Sequence, residues 1–113
     1  MKVEYYITAD GKKPLTKWLD RLKDAKAKAA IIQRIFRLTV DLFGDVKPVG
    51  EGVSELRVDV GKGYRVYHAR SGNEIVLLLC GGDKKTQDAD IKTAKEYWND
   101  YKNRKKDRHK GER

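Results

Sequence analysis

Hydrophobic residues recur with two different periods along this chain, and the change of period separates helices from strands. The segment Lys2–Thr8 is rich in β-forming residues and predicts a first strand. Pro14 is suited to the first turn of a helix, where its missing N–H costs nothing. One face of that short helix carries apolar residues at helical spacing, namely Leu15, Trp18, Leu19 and Leu22.

A second, longer helix is predicted between Asp24, a plausible N-cap, and Gly44, which would end it. Its apolar stripe comprises Ala27, Ile31, Ile35, Leu38 and Leu42. Three further apolar residues should widen the stripe, namely Ile32, Phe36 and Phe43. The two helices should form an antiparallel hairpin that covers a sheet.

The period then changes to two, which indicates strands. Residues 44–53 are interpreted as a loop, 54–60 and 64–70 as a hairpin around Gly61-Lys62-Gly63, and 74–80 as a strand covered on both faces. A final helix should begin near residues 86–88, with an inner face formed by Ile91, Ala94, Tyr97, Trp98 and Tyr101. The predicted fold is α+β, in the order β-α-α-β-β-β-α, with a helical hairpin packed on a mostly antiparallel sheet.

Composition favours one domain with a polyanionic partner. The chain has 113 residues and a formal net charge of +9. Residues 1–101 are expected to form the domain, and residues 102–113 a flexible tail with seven Lys or Arg and two acidic residues. With one cysteine and no apolar run near ~20 residues, we expect a cytoplasmic protein with no membrane partner.

The hairpin predicts a cluster of cations on one sheet face. If Val60 pairs with Tyr64, Asp59 lies beside Arg65 and Arg57 beside Tyr67, all opposite the core side. Such a group of arginines and an aromatic ring could bind a phosphodiester. Alternatively, these are ordinary exposed strand residues, with Asp59–Arg65 a cross-strand ion pair.

The segment Gly81-Gly82-Asp83-Lys84-Lys85 follows the most apolar strand and should return toward Arg65. Its lysines would then lie over the arginines, and its glycines would let the backbone approach a ligand. The amides at the start of the last helix could add anion affinity. Alternatively, the segment only turns a corner.

The remaining candidates favour structural roles. His68 falls on the core side by parity, Cys80 and both tryptophans are expected in the core, and no P-loop pattern is present. Asp83, Asp88 and Asp90 surround a helix start, so capping accounts for them better than a metal does. No metal or other cofactor is expected.

The stretches "GEGVSELRVDVGKGYRVYHAR" and "IVLLLCGGDKKTQDADIKTAKEYW" resemble the RelE/ParE toxin superfamily, especially its HigB-like branch. The resemblance covers about residues 2–101 and implies a RelE-like fold. It also implies a type II toxin with a helix-turn-helix antitoxin as partner. RelE-type toxins act on mRNA at the ribosome, where the ribose 2′-OH attacks the adjacent phosphate without metal.

The resemblance also implies roles for single residues. Arg65 matches the phosphate-binding arginine of the GYR motif, Arg57 a basic residue on the preceding strand, and Lys84 one after the last strand. RelE has a functional tyrosine about where Asp90 stands here, and Tyr67 is the candidate substitute.

The leading hypothesis is a ribosome-dependent mRNA endonuclease. In it, Arg57 and Arg65 clamp the scissile phosphate, and Lys84 and Tyr67 transfer protons with pKa values lowered by the cations. Lys62 and Lys85 bind flanking phosphates or ribosomal RNA. The alternatives are a ParE-like gyrase poison and a non-toxic nucleic-acid-binding module that uses its tail.

Overall fold

The computed structural model describes residues 1–111, and the side chains of residues 1–106. The described residues form five strands and three helices, with four strands in succession between α2 and α3, which confirms the α+β class. The elements are β1 (Lys2–Tyr5), α1 (Pro14–Arg21), α2 (Ala25–Leu38), β2 (Val46–Gly50), β3 (Val53–Val58), β4 (Tyr64–Ser71), β5 (Ile75–Asp83) and α3 (Gln87–Gly111), with a 3-10 turn at Lys84–Thr86 before α3. No described helix combines the length and apolar character that crossing a bilayer requires.

The strands form one sheet in the order β1-β5-β4-β3-β2. β1 runs parallel to β5, and the other three neighbouring pairs are antiparallel. The prediction of a mostly antiparallel sheet is therefore confirmed. β1 and β2 lie at opposite edges of the sheet, and α1 and α2 connect them across one face. The chain then returns through β3 and β4, so that β5 lies beside β1 and parallel to it.

The edge strand β2 lies where the sequence predicted a loop. The sequence of β2 predicted a loop because Pro48 and the surrounding glycines usually mark turns. A proline is tolerated at a sheet edge, where no neighbour needs its N–H. The register of β2 against β3 shifts between Pro48 and Gly50, so the strand is also bulged.

One face of the sheet packs against α1 and α2, which confirms that both helices cover the same face. The inner positions of the helices contribute Leu15, Leu19, Ala27, Ile31, Ile35 and Leu38 to this core. They meet alternate strand residues, namely Leu56, Val58, Tyr64, Val66, Val76 and Leu78. Asp24 caps α2 as predicted, because its side chain accepts a hydrogen bond from the Ala27 amide.

The opposite face is covered by α3, which gives the molecule three layers. Ala94 and Trp98 of α3 are buried against the sheet, with Ile91, Tyr97 and Tyr101 partly buried beside them. On the sheet side they meet Val53, Tyr67, Ala69, Leu77, Leu79 and Cys80. Leu79 and Cys80 both face α3 because the pairing of β4 with β5 is irregular there. The predicted covering of β5 on both faces is confirmed, and β4 is covered in the same way.

α2 is shorter than predicted. It ends at Leu38, where the β-branched pair Thr39-Val40 follows, and the chain turns instead of continuing to Gly44. The expectation that Ile32 and Phe36 widen the buried stripe is wrong, because both side chains are exposed. Leu42 lies beyond the helix and is exposed as well.

The predicted boundary at residue 101 falls inside α3, which continues to Gly111. Arg104 donates a hydrogen bond to the Ile7 carbonyl at 2.6 Å, and Lys105 donates one to the Ser71 hydroxyl at 3.1 Å. The first residues of the predicted tail are thus attached to the domain. Residues 112–113 of that tail lie outside the described residues.

His68 is buried on the α2 side of the sheet beside the Phe43 ring, with ring centroids 6.3 Å apart. This confirms its predicted position in the core. Burial lowers the pKa of His68 from 6.5 to about 4, because a charged imidazole would lose its hydration there. The side chain is therefore neutral at physiological pH.

This burial predicts a pH-dependent stability. The unfolded chain binds a proton at His68 near pH 6.5 and the folded chain only near pH 4, so acid favours unfolding between these values. Above about pH 6.5, the titration of His68 should have no effect on stability. As the pH falls to about 4, protonation of His68 in the unfolded chain should lower the free energy of unfolding by about 3 kcal/mol. Urea denaturation of the wild type and His68→Gln across this range measures it. Parallel pH profiles for the two proteins would contradict the assignment.

Candidate nucleic-acid interface

The β3–β4 connection has five residues, not three. Val58 pairs with Tyr64, so the predicted pairing of Val60 with Tyr64 is wrong by two residues. Gly61 and Gly63 both adopt positive φ values, 56° and 77°, which closes a longer turn. A shift of two residues preserves parity, so the assignment of side chains to the two faces survives.

Arg57 and Arg65 lie directly opposite each other on β3 and β4. They therefore share a sheet face, as predicted, although Arg57 pairs with Arg65 and not with Tyr67. Arg65 does not point into open solvent, however, because it is only 6% exposed. The reason is that α3 and the turn before it cover this face of the sheet.

Arg65 faces a carboxylate that the sequence reasoning missed. Glu55 is fully buried, and its Oε1 lies 3.6 Å from the Arg65 Nε. The Arg65 Nη1 donates to the Tyr64 carbonyl at 3.0 Å and lies 3.6 Å from the Asp59 Oδ1, so the alternative Asp59–Arg65 ion pair is present. The guanidinium thus lies between the buried Glu55 carboxylate and the exposed Asp59 carboxylate.

Two neutral groups complete the environment of Glu55. Its Oε2 accepts hydrogen bonds from the Tyr67 hydroxyl at 3.1 Å and from the side-chain Nε2 of Gln87 at 2.8 Å. Gln87 is the first residue of α3, so the carboxylate joins β3, β4 and the start of the helix. The sequence already placed Glu55 on the same strand face as Arg57, because it alternates with Leu56. This alternation could have indicated a carboxylate beside the arginines.

Tyr67 is completely buried beneath α3, where it cannot reach a substrate on the surface. Burial raises its pKa, and the neighbouring Glu55 carboxylate raises it further. The prediction that the cation cluster lowers the pKa of Tyr67 is therefore wrong. Its hydroxyl holds Glu55 in place.

Arg57 lies nearer the edge of the sheet and is partly exposed. Its Nε and Nη2 both donate to the Asp45 Oδ1, at 3.2 and 2.9 Å. This hydrogen bond with Asp45 raises the pKa of Arg57, so the side chain stays charged. Because the pair is open to water, a phosphate could displace Asp45 at small cost.

Lys62, Lys84 and Lys85 meet at one end of the sheet, and all three are exposed. Tyr64 pairs with Asp83, and the Lys84 amide donates to the Gly63 carbonyl at 3.1 Å, so the two turns are adjacent. This confirms the predicted return of the lysine segment toward Arg65. No ion pair to a carboxylate engages these three lysines within the described part of the chain.

The glycines before the lysines make room for side chains of the protein itself. A Cβ added at Gly81 would lie 2.4 Å from the Trp18 ring, and one added at Gly82 would lie 1.7 Å from the Asp90 Oδ2. The expectation that they give a ligand access to the backbone is therefore wrong. Both belong to β5, and their missing side chains let α1 and α3 approach the strand.

The amides before α3 are also occupied. The Asp83 carboxylate accepts hydrogen bonds from the Lys85 and Thr86 amides, at 2.9 and 3.3 Å. These two amides of the 3-10 turn are therefore not free to bind an anion, and capping by Asp83 is confirmed. In the part of the chain that the structure describes, no group of three His, Cys, Asp or Glu side chains could hold a metal ion.

Cys80 is buried on the α3 side of the sheet, as predicted. Burial raises the pKa of its thiol to about 12, and nearby Asp90 acts in the same direction. The thiol is protonated at neutral pH and is not a nucleophile.

The two arginines should differ sharply in their effect on stability. Arg65→Ala leaves Glu55 buried without its cation and should lower the free energy of unfolding by about 3–5 kcal/mol. Arg57→Ala, the matched control on the facing strand, breaks an exposed pair and should cost far less. Urea denaturation of both variants measures the difference, and equal losses would refute the burial of the Glu55–Arg65 pair.

The chain is similar to known proteins over most of its length. It is 56% identical over 78 residues to an uncharacterized protein from Haemophilus influenzae, a match that covers 69% of this chain and 79% of the relative. The sequence profile of a family of the RelE/toxin-like type, described as phage-derived protein Gp49-like (DUF891), matches residues 17–106. Since this match includes four of the five strands, all of α2 and most of α1 and α3, the chain belongs to the Gp49-like family.

Proposed function

We propose that this protein is the toxin of a type II toxin–antitoxin module and acts as a ribosome-dependent mRNA endonuclease. Gp49-like proteins are commonly toxins of such modules, which supports the toxin assignment and an antitoxin partner. The resemblance of the β3–β4 and β5–α3 segments to RelE-type toxins supports mRNA as the substrate. In this reaction the 2′-OH of the substrate's ribose is the nucleophile, and side chains of the protein stabilise the phosphate and protonate the leaving group.

One observation carries this proposal. Three exposed lysines come together at one end of the sheet: Lys62 from the β3–β4 turn, and Lys84 and Lys85 from the turn after β5. Arg57 lies on β3, next to the first of these turns. Lysines of this kind bind successive phosphates of an RNA strand through charge, and arginine binds one phosphate through two parallel hydrogen bonds. The arrangement is an open cationic surface that an extended mRNA can cross.

The residues then take different roles from those assigned by sequence. Arg57 exchanges Asp45 for the scissile phosphate and stabilises the negative charge that grows on its oxygens. Lys62 and Lys85 bind flanking phosphates. Arg65 and Tyr67 support the surface from below, through Glu55, instead of contacting RNA.

Lys84 is the proton donor in this scheme. The 2′-oxygen bonds to phosphorus while its proton passes to water, the bond from phosphorus to the 5′-oxygen breaks, and the Lys84 ammonium protonates the leaving oxygen. The position of Lys84 supports this role. Its aliphatic chain packs against Gly63, and its backbone N–H donates a hydrogen bond to the Gly63 carbonyl. The side chain is therefore anchored at its base beside the β3–β4 turn.

Induced expression with mapping of mRNA 5′ ends tests the proposal. Wild type should arrest growth and create new 5′-hydroxyl ends within reading frames. Lys84→Ala and Arg57→Ala should each lower the cleavage by about 100-fold or more, because each removes transition-state stabilisation. Lys17→Ala, which removes an exposed lysine of α1 on the other side of the sheet, should cleave like wild type.

Two results would contradict the proposal. Growth arrest without new mRNA ends, accompanied by DNA damage, would favour a gyrase poison. Full cleavage by Lys84→Ala and Arg57→Ala, with both variants folded like wild type, would show that this surface does not carry the reaction.

A further inference from the structure

We infer that the outer face of α2 is a docking surface for an acidic amphipathic helix of the antitoxin. This surface consists of Ile32 and Phe36, continued by Val40 and Leu42 in the turn that follows the helix. The inference deepens the proposed function, on which it rests, because it takes the partner to be the antitoxin of the module.

The surface is apolar although nothing in the described chain covers it. Its four large side chains are between 48% and 67% exposed, and they are four of the six large hydrophobic side chains that the described residues leave exposed. Monomeric domains scatter such residues, whereas a contiguous group marks an interaction site. Because α2 buries a separate stripe against the sheet, it is apolar on two sides.

The shape of the surface suits a helix. Ala25 and Ala29 are exposed and lie on the same side as Ile32 and Phe36, at offsets of 0, 4, 7 and 11 residues along α2. Small residues followed by large ones leave a shallow groove in which a second helix can approach closely. Anchors at helical spacing are typical of helix-in-groove recognition.

The charges around the surface select the partner. α2 carries Lys26, Lys28, Arg34 and Arg37 and no acidic residue. By helical spacing, Lys26 and Arg37 border the apolar face on one side and Lys28 on the other. A second copy of this chain would bring the same cations to the same borders, so charge disfavours self-docking and favours an acidic partner.

The surface is separate from the candidate RNA site. The inner side of α2 packs on the sheet face of Leu56 and Val66, whereas Arg57, Glu55 and Arg65 lie on the α3 side. Substitutions on the outer face of α2 therefore leave the cationic end of the sheet in place. Binding and toxicity can be measured independently.

The test measures the affinity of this chain for the product of the reading frame adjacent to its own gene. Ile32→Gln/Phe36→Gln should weaken binding at least about 30-fold, as expected when two central anchors are lost. The matched control is Tyr5→Gln/Ile7→Gln, which removes two exposed large hydrophobic residues beside β1 and should change the affinity less than about 3-fold. Equal affinities for all three proteins would overturn the inference.

A charge reversal tests the partner's chemistry. Lys26→Glu/Arg37→Glu should weaken binding about 10-fold at low salt and less at high salt, because salt screens exposed charges. An unchanged affinity would overturn the acidic partner. Sedimentation of the chain alone gives a further check, since a dimer that Ile32→Gln/Phe36→Gln dissociates would show that a second copy occupies the surface.

Toxicity separates this inference from the proposed function. Expressed without the partner, Ile32→Gln/Phe36→Gln should arrest growth like wild type, and co-expression of the partner should rescue wild type but not the variant. If wild type fails to arrest growth, the proposed function is wrong, while the affinity series still decides the docking surface.

Discussion

A carboxylate with no exposure to water, Glu55, faces the Arg65 guanidinium in the middle of the sheet, and the start of α3 closes over both. Burying two charges is costly unless they are paired and hydrogen-bonded. Tyr67 and Gln87 donate hydrogen bonds to the Glu55 Oε2, and the Arg65 Nη1 donates one to the Tyr64 carbonyl. The two facing atoms, Glu55 Oε1 and Arg65 Nε, form an ion pair at 3.6 Å without a hydrogen bond. This buried group fixes three elements relative to one another: β3, β4 and α3.

The same pair divides the cations of this face into two kinds. Arg65 is neutralised inside the protein, whereas Lys62, Lys84 and Lys85 project from the adjacent turns and Arg57 has only a solvent-exposed partner. A phosphate backbone can reach the second group without any change in the fold. In the proposed function, the buried arginine therefore acts only indirectly, by holding the strand end and the lysine turn in register.

Periodicity predicted much of the fold and some of the site. It identified both helices on one face, the strands of the meander and the shared parity of Arg57 and Arg65, because these depend on local patterns. It missed β2, since Pro48 and its neighbouring glycines are turn signals in isolation and are allowed only at a sheet edge. It left Arg65 and Tyr67 in solvent because the covering by α3 is a tertiary contact. Ile32 and Phe36 were assigned to the core although they are exposed. Helical spacing alone does not show which apolar side of α2 meets the sheet.

Solvent exchange of the arginine Nε–H protons, measured by nitrogen-resolved NMR, tests the buried pair most directly. If Glu55 and α3 seal Arg65, its Nε–H should exchange at least about 100-fold more slowly than that of Arg57, which faces it on the neighbouring strand. Similar exchange rates at the two positions would contradict the account, because Arg65 would then be open to water and available to RNA.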